Sequence, residues 1–293
     1  MEYILPKKIE QGATIGIVAL SGAIESKESV LQGVTKLKEL GFNIKLSEHL
    51  FDKKRYLAGE DAIRAAELEK FFSDPEIDCI LCARGGYGAI RIIDKINYDV
   101  IKSNPKAFCG YSDTTAFSVM MLKHAGLITY SSPMLVGDFG VENSSKYTLY
   151  NFIKGINGDK LEFKVSGNET NSADGIIWGG NLTTLASLCG RDFLPDEKFI
   201  LFIEDINEPV YKIDRALAQL SALPQFCKNI NGIVTGDFSG VNNILDLQEV
   251  LEEYTNELNC PLWQGLKWGH EREKVTLPIG KICQINHNVI TIN

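Results

Sequence analysis

The chain reads as an α/β protein of two domains, and three observations predict this. Strand-like apolar runs alternate with helical apolar stripes from residue 13 onward. The alternation is interrupted once, between about residues 137 and 171, by glycine- and asparagine-rich sequence. A length of 293 residues also exceeds what one hydrophobic core usually organises. Strand, helix, strand, helix is the pattern of a parallel sheet covered on both faces. The expectation is an N-terminal parallel, doubly wound α/β domain over 1–136, a connecting segment over 137–171, and a smaller C-terminal α/β domain over 172–293.

The elements follow in order. Residues 13–19 (Ala-Thr-Ile-Gly-Ile-Val-Ala) form a first buried strand. Ser26 then precedes Val30, Leu31, Val34, Leu37 and Leu40, a helical stripe closed by Gly41. Residues 42–46 are a second strand, and 60–72 a second helix ended by Ser73-Asp74-Pro75. Residues 79–83 are a third strand, followed by Arg84-Gly85-Gly86-Tyr87-Gly88 and a helix through Ile90, Ile93 and Ile96. Ala107-Phe108-Cys109 is a short buried strand that stops at Gly110, and Ala116 to Leu122 is the apolar helix after it. The connecting segment holds one weak helix at 147–153. Beyond it come a strand at 175–181, a helix through Leu182, Leu185 and Leu188, and the strong buried strand 199–203. A helix at 210–220, a strand at 232–235, a helix at 245–254 and a hairpin turning at Asn286-His287-Asn288 complete the chain.

Composition narrows the function. A formal net charge of −8 opposes nucleic-acid binding, which requires a basic footprint. No run is long enough to span a bilayer, and the N-terminus lacks an apolar signal core. Seven cysteines, several inside apolar runs, suit reduced thiols and a cytoplasmic setting. Cys79 and Cys82 lie three apart on a strand and face opposite ways, so they cannot share a metal.

The chemistry centres on Ser112. It falls on the turn between the strand ending at Gly110 and the helix begun by Asp113-Thr114-Thr115, where a nucleophile elbow would expose its hydroxyl. Thr114 stands where the second glycine of Gly-x-Ser-x-Gly would be, so a simple helix-capping role for Ser112 or Asp113 remains open. A serine needs a base and an orienting carboxylate. Of four histidines, His270 lies on a glycine-hinged polar loop, whereas His49, His124 and His287 suit surface, helix-end and turn positions. Glu204 and Asp205 both follow the apolar run 199–203 at the edge where parallel sheets place their sites, and the residues do not choose between them. The Arg84–Gly88 loop has glycines that let backbone N–H groups approach an oxyanion. It is not a dinucleotide fingerprint, which disfavours a nicotinamide-dependent oxidoreductase. Trp178-Gly179-Gly180-Asn181 is a similar strand-to-helix corner with Asn181 as N-cap.

Taken together and in order, Arg84-Gly85-Gly86-Tyr87-Gly88, Gly110-Tyr111-Ser112-Asp113, Gly179-Gly180-Asn181-Leu182, Glu204-Asp205, Tyr211-x-x-Asp214-Arg215, Gly269-His270 and Leu277-Pro278-x-Gly280 resemble the LD-carboxypeptidase family of serine peptidases. The resemblance implies a Ser112–Glu204–His270 triad and an oxyanion hole from the backbone N–H groups of Asp113 and Gly86. It implies a serine-bearing parallel domain, a swivelling-type second domain supplying Glu and His, and a homodimer. The implied reaction removes the terminal D-alanine of cytoplasmic murein tetrapeptides at an L,D bond, without metal or organic cofactor. Arg84 is a candidate partner for the substrate carboxylate, with Gly85, Trp178 and Asn181 as further candidate contacts. Two alternatives stand beside it. One is a self-immunity hydrolase that cleaves aminoacyl- or peptidyl-nucleotide antibiotics with the same triad, for which Trp178 and Phe193 are the nearby aromatics. The other is a non-catalytic binding protein that uses the interdomain cleft.

Overall fold

The computed structural model describes residues 3–293 and contains two sheets. In chain order the first part runs β1 (Thr14–Val18), α1 (Lys27–Glu39), β2 (Asn43–Leu46), α2 (Asp61–Ser73), β3 (Cys79–Cys82), α3 (Tyr98–Ser103), β4 (Ala107–Gly110), α4 (Thr115–Ala125) and β5 (Thr129–Ser131). These strands pair in parallel in the order β5-β4-β3-β1-β2. The helix α5 (Lys146–Ile156) follows, then β6 (Leu161–Lys164), β7 (Ser166–Gly167), β8 (Ser172–Asn181), α6 (Leu182–Ala186), β9 (Phe199–Ile206), α7 (Val210–Ser221), α8 (Pro224–Asn229), β10 (Ile230–Ser239), α9 (Ile244–Glu257) and β11 (Leu262–Gln264). The chain ends with β12 (Leu277–Ile279) and the hairpin β13 (Ile282–Asn286) and β14 (Val289–Ile292).

The doubly wound expectation holds for the first sheet. Cys79 and Cys82 fall into hydrophobic clusters on its opposite faces, as strand alternation requires. Helix α4 is buried on nearly every side from Thr115 to Leu122, which fits its largely apolar sequence. It packs against β8, so its cluster runs continuously into the core of the second sheet through Ile177, Phe199 and Phe202.

Three expectations are corrected. The connecting segment 137–171 carries strands of the second sheet: β6 pairs with β14 at one edge and β7 with β11 at the other. Since β6 and β7 are consecutive, this stretch draws the two edges together. Its Leu161, Phe163 and Val165 are buried, a period-2 signal hidden among surrounding glycines and asparagines. The helix expected through Ile90, Ile93 and Ile96 is instead a pair of 3₁₀ turns, Ala89–Arg91 and Ile93–Lys95, before α3. An apolar spacing of three matches the 3₁₀ repeat better than 3.6. Finally, β12 leaves the second half of the chain and pairs antiparallel with β5. The chain therefore crosses back from the second sheet to the first between residues 268 and 277.

At the end of β8 the backbone needs glycine. Gly179 has φ +134°, and a Cβ there would collide with the Phe202 carbonyl on β9. That neighbour is backbone and cannot swing away. Gly179→Ala is expected to lower unfolding free energy by at least about 2 kcal/mol, measured by urea denaturation.

Candidate active site

Ser112 sits beyond the end of β4 in a left-handed conformation, with φ +63°. A non-glycine residue there is strained, and strain of this kind persists only when the surroundings over-determine it. The restraints are visible. Thr114 Oγ1 donates to the Tyr111 carbonyl at 2.9 Å, and the Asp113 carboxylate accepts the Ala89 amide at 2.8 Å. Asp113 is therefore a strap to the loop after β3 and does not cap α4. Burial raises its pKa, while Ser21, the Ala89 amide and Arg64 oppose that rise. A Cβ on Gly85 would lie 3.0 Å from Ser112 Oγ. The Arg84–Gly88 loop thus lies directly against the serine hydroxyl.

The two neighbouring carboxylates on β9 have separate partners. Glu204, 1% exposed, places Oε2 2.7 Å from His270 Nδ1. Burial raises the Glu204 pKa and the contact with His270 lowers it. Asp205 points elsewhere: it accepts the Thr183 amide and hydroxyl and the Asn181 side-chain amide at the start of α6. Asn181 also caps α6, accepting from Thr184. It sits beside Glu204 in the β8–β9 register and supports that corner. Gly269, with φ +134°, lets the loop cross Glu204, since a Cβ there would approach Oε2 to 3.1 Å.

Tyr111 links the halves, with its ring 5.0 Å from that of His270. Lys274 also lies over the Tyr111 ring, with Nζ 4.3 Å from the ring centroid, 3.1 Å from the hydroxyl and 2.5 Å from Asp138 Oδ1. Lys274 and Asp138 are 3% and 6% exposed, so this is a buried ion pair. The Thr148 hydroxyl holds the same loop, donating to the Arg272 carbonyl and accepting the Lys274 amide. Tyr111 stood in the serine motif without a role of its own, and neither Asp138 nor Lys274 carried a sequence signal, since Lys274 reads as one more charge in Glu271-Arg272-Glu273-Lys274.

Two cavities lie on either side of this region, one at the serine turn and one along the loop after β3. One of about 380 Å³ is lined by Tyr111, Asn143, His270, Arg272 and Lys274 among others. The other, of about 590 Å³, is lined by Gly22, Arg84, Gly86 and Tyr87 among others. Trp178 borders neither. It is completely buried against Phe193 and Phe199, which corrects its expected place as a substrate contact: at β8 it faces the core. Among the described residues no cluster of three or more His, Cys, Asp or Glu could hold a metal, and no helix is long and apolar enough to cross a membrane.

A parallel sheet with a strained serine at a strand end, followed through Tyr111 by a hydrogen-bonded His–carboxylate pair, matches a serine-hydrolase type of site. Family comparison agrees with that class. Residues 15–132 match the LD-carboxypeptidase N-terminal domain and residues 174–285 the LD-carboxypeptidase C-terminal domain. The chain belongs to the LD-carboxypeptidase family. It is 33% identical to a probable murein peptide carboxypeptidase of Bacillus subtilis, over 96% of this chain and 91% of that one. It is 28% identical to the microcin C7 self-immunity protein MccF of Escherichia coli, over 94% of this chain and 91% of that one. The crystal structure of muramoyltetrapeptide carboxypeptidase from Oxalobacter formigenes superposes with a TM-score of 0.88 at 28% identity, covering 96% of this chain and 98% of that one.

Two outcomes follow from this geometry. Lys274→Met leaves Asp138 charged, buried and unpaired, and is expected to cost about 3–5 kcal/mol in chemical denaturation. Adding Asp138→Leu should recover much of that loss. The second concerns Asp237, which burial, Glu271 and Glu204 push up from 3.8 to about 6. The folded state holds that proton where the unfolded chain has released it. The resulting stabilisation is complete below about pH 3.8 and is lost as pH rises through about 6. Asp237→Asn should therefore melt higher than the parent above pH 6, with the gain fading towards pH 4 in thermal scans.

Proposed function

We propose that Ser112, His270 and Glu204 form a catalytic triad and that the protein is a serine carboxypeptidase acting on murein tetrapeptides. The observation that carries this reading is the His270–Glu204 pair at 2.7 Å, with Glu204 fully buried and the His270 ring 5.0 Å from that of Tyr111, the neighbour of a serine held in a left-handed turn. In the proposed mechanism His270 Nε2 takes the proton of Ser112 as Oγ attacks the carbonyl of the L,D bond. Glu204 fixes the tautomer that keeps Nε2 free and stabilises the imidazolium that forms. The backbone N–H groups of Asp113 and Gly86 receive the oxyanion. His270 then returns the proton to the leaving nitrogen, D-alanine departs, and water hydrolyses the ester on Ser112 by the same steps. This sequence needs no metal or organic cofactor.

The substrate is proposed from the relatives named as murein peptide and muramoyltetrapeptide carboxypeptidases. The same reading assigns the work to cytoplasmic cell-wall recycling by a homodimer, in keeping with seven free cysteines. An aminoacyl-nucleotide substrate would need an aromatic on which to stack its base. Trp178 and Phe193, the aromatics that the sequence offered, are both locked in the core and cannot serve that purpose.

Mass spectrometry of murein tetrapeptide incubated with the protein tests the proposal. Loss of one D-alanine is expected with the parent, and at least about a thousandfold slower release with Ser112→Ala, whose fold should be unchanged. Undiminished turnover by Ser112→Ala would overturn the triad. Cleavage of an aminoacyl sulfamoyl adenosine but not the peptide would transfer the site to the immunity-type reaction. Failure of a serine-directed phosphonate to label Ser112 would favour a binding protein.

A further inference from the structure

The larger cavity, along the loop after β3, has features that the triad does not use. It opens where the first sheet reverses its winding: the chain leaves β1 towards β2 on one side, and β3 lies on the other. The crevice beyond the carboxyl ends of strands at such a point is where open α/β sheets bind ligands. Here it is walled by Gly22 and Ala23 after β1 and by Arg84 and Gly86 after β3. Arg84 Nη1 is tied to the Ala23 carbonyl at 2.8 Å, so the two loops form one wall.

A tight hairpin supplies the opposite wall. Lys54 and Leu57 exchange backbone hydrogen bonds at 2.9 and 3.0 Å, which leaves Arg55 and Tyr56 at the tip. The Tyr56 carbonyl accepts from the Ala23 amide at 2.9 Å, pinning the tip to the cavity. Arg55 is held at φ +60°, a conformation costly for arginine. Its guanidinium lies over the Tyr56 ring, and Tyr56 meets Tyr87 edge-on at 5.7 Å. Both tyrosines remain exposed. Lys54 is paired with Glu60, but no ion pair among the described residues engages Lys53, Arg55 or Arg84. Three unpaired cations and a single carboxylate, Glu25, line this cavity.

The proposed triad chemistry decides which part of a substrate would lie here. A base that takes the serine proton hands it to the leaving nitrogen, so the leaving group lies on the histidine side. His270 lines the smaller cavity of about 380 Å³, with Arg272 and Lys274. The larger one, of about 590 Å³, lies on the Gly85–Gly86 side and shares no residue with the other. We propose that the Arg55–Tyr56–Tyr87–Arg84 cavity is the acyl-side subsite and that it selects peptides carrying a free carboxylate upstream of the scissile bond. The single leaving residue then occupies the His270 side, and Arg272 replaces Arg84 as the cation nearest its carboxylate. This inference rests on the hydrolase reading above.

The test uses L-Ala-γ-D-Glu-L-Lys-D-Ala with its glutamate α-carboxyl either free or amidated. Calorimetric binding to Ser112→Ala should weaken about tenfold on amidation. Adding Arg55→Asn, which tolerates the left-handed backbone, or Lys53→Ala should reduce that ratio to about two or less. The penalty for amidating the terminal D-alanine carboxyl should be unaltered by Arg55→Asn. Equal binding of free and amidated peptides, or a ratio that survives both substitutions, would overturn the subsite. Loss of the terminal-carboxyl penalty in Arg55→Asn would reverse the polarity and equally overturn it. Charge-selective binding without cleavage by the parent would instead overturn the hydrolase reading and leave the subsite standing.

Discussion

The site depends on one crossing of the chain. Between Trp268 and Leu277 the backbone leaves the second sheet, where the Trp268 carbonyl accepts the Asp237 amide at 2.8 Å, and joins the first as β12. His270 lies inside that crossing and Lys274 fastens it. A lysine ammonium and a carboxylate are each costly to bury, and only close pairing with further hydrogen bonds offsets the desolvation. Lys274 meets that condition with Asp138 and the Tyr111 hydroxyl. Asp138 in turn accepts the Met134 amide at 2.8 Å. An apolar pair of similar volume could hold two surfaces together, but it would not fix the direction from which Tyr111 approaches His270. The polar arrangement sets the position of the imidazole as well as the contact between sheets.

The same crossing explains why the two halves do not behave as a bead and a tether. Helix α4 is buried from both sides, and its hydrophobic cluster extends from Phe108 beneath the first sheet to Phe202 within the second. Phe202 meets Trp268 edge-on, and the Trp268 indole N–H donates to Ser131 at the end of β5. The residue two places before His270 is therefore packed on one sheet and hydrogen-bonded to the other. Rotation of one half against the other would have to break buried contacts on both sides of His270, so the geometry found between His270 and Tyr111 belongs to the packed core.

Much of this was legible in the sequence, and what was not has a physical cause. The doubly wound sheet was legible because each strand is a short apolar run bounded by a helix start or a glycine. The serine turn was legible because Gly110 and the Asp113-Thr114-Thr115 cluster mark both of its sides. Glu204 and Asp205 were not separable, because adjacent residues on a strand differ only in face, and the face was fixed by what lay across it: His270 for one, Thr183 and Asn181 for the other. Strands β6 and β7 were hidden because their partners lie more than ninety residues further along the chain. Trp178 misled for a related reason. Its neighbours Gly179 and Gly180 mark a close approach of backbone, but the approach is to β9 and Thr115 and not to a ligand.

The strain at Ser112 and at Arg55 completes the argument, because the two share a support. Both are non-glycine residues held at φ near +60°. The loop after β3 supports each: Gly85 and Asp113's partner Ala89 border the serine, while Arg84 and Gly85 hold Gly22-Ala23, whose Ala23 amide pins the hairpin tip at Tyr56. Arg55 lines the crevice and Ser112 lies behind its Gly85–Gly86 wall, so one glycine-containing loop braces both strained residues. A chain selected only to fold would relax either position with a glycine or asparagine at little cost. The strain at Arg55 fits a crevice whose walls hold a fixed spacing, and the same loop carries that constraint to the serine turn.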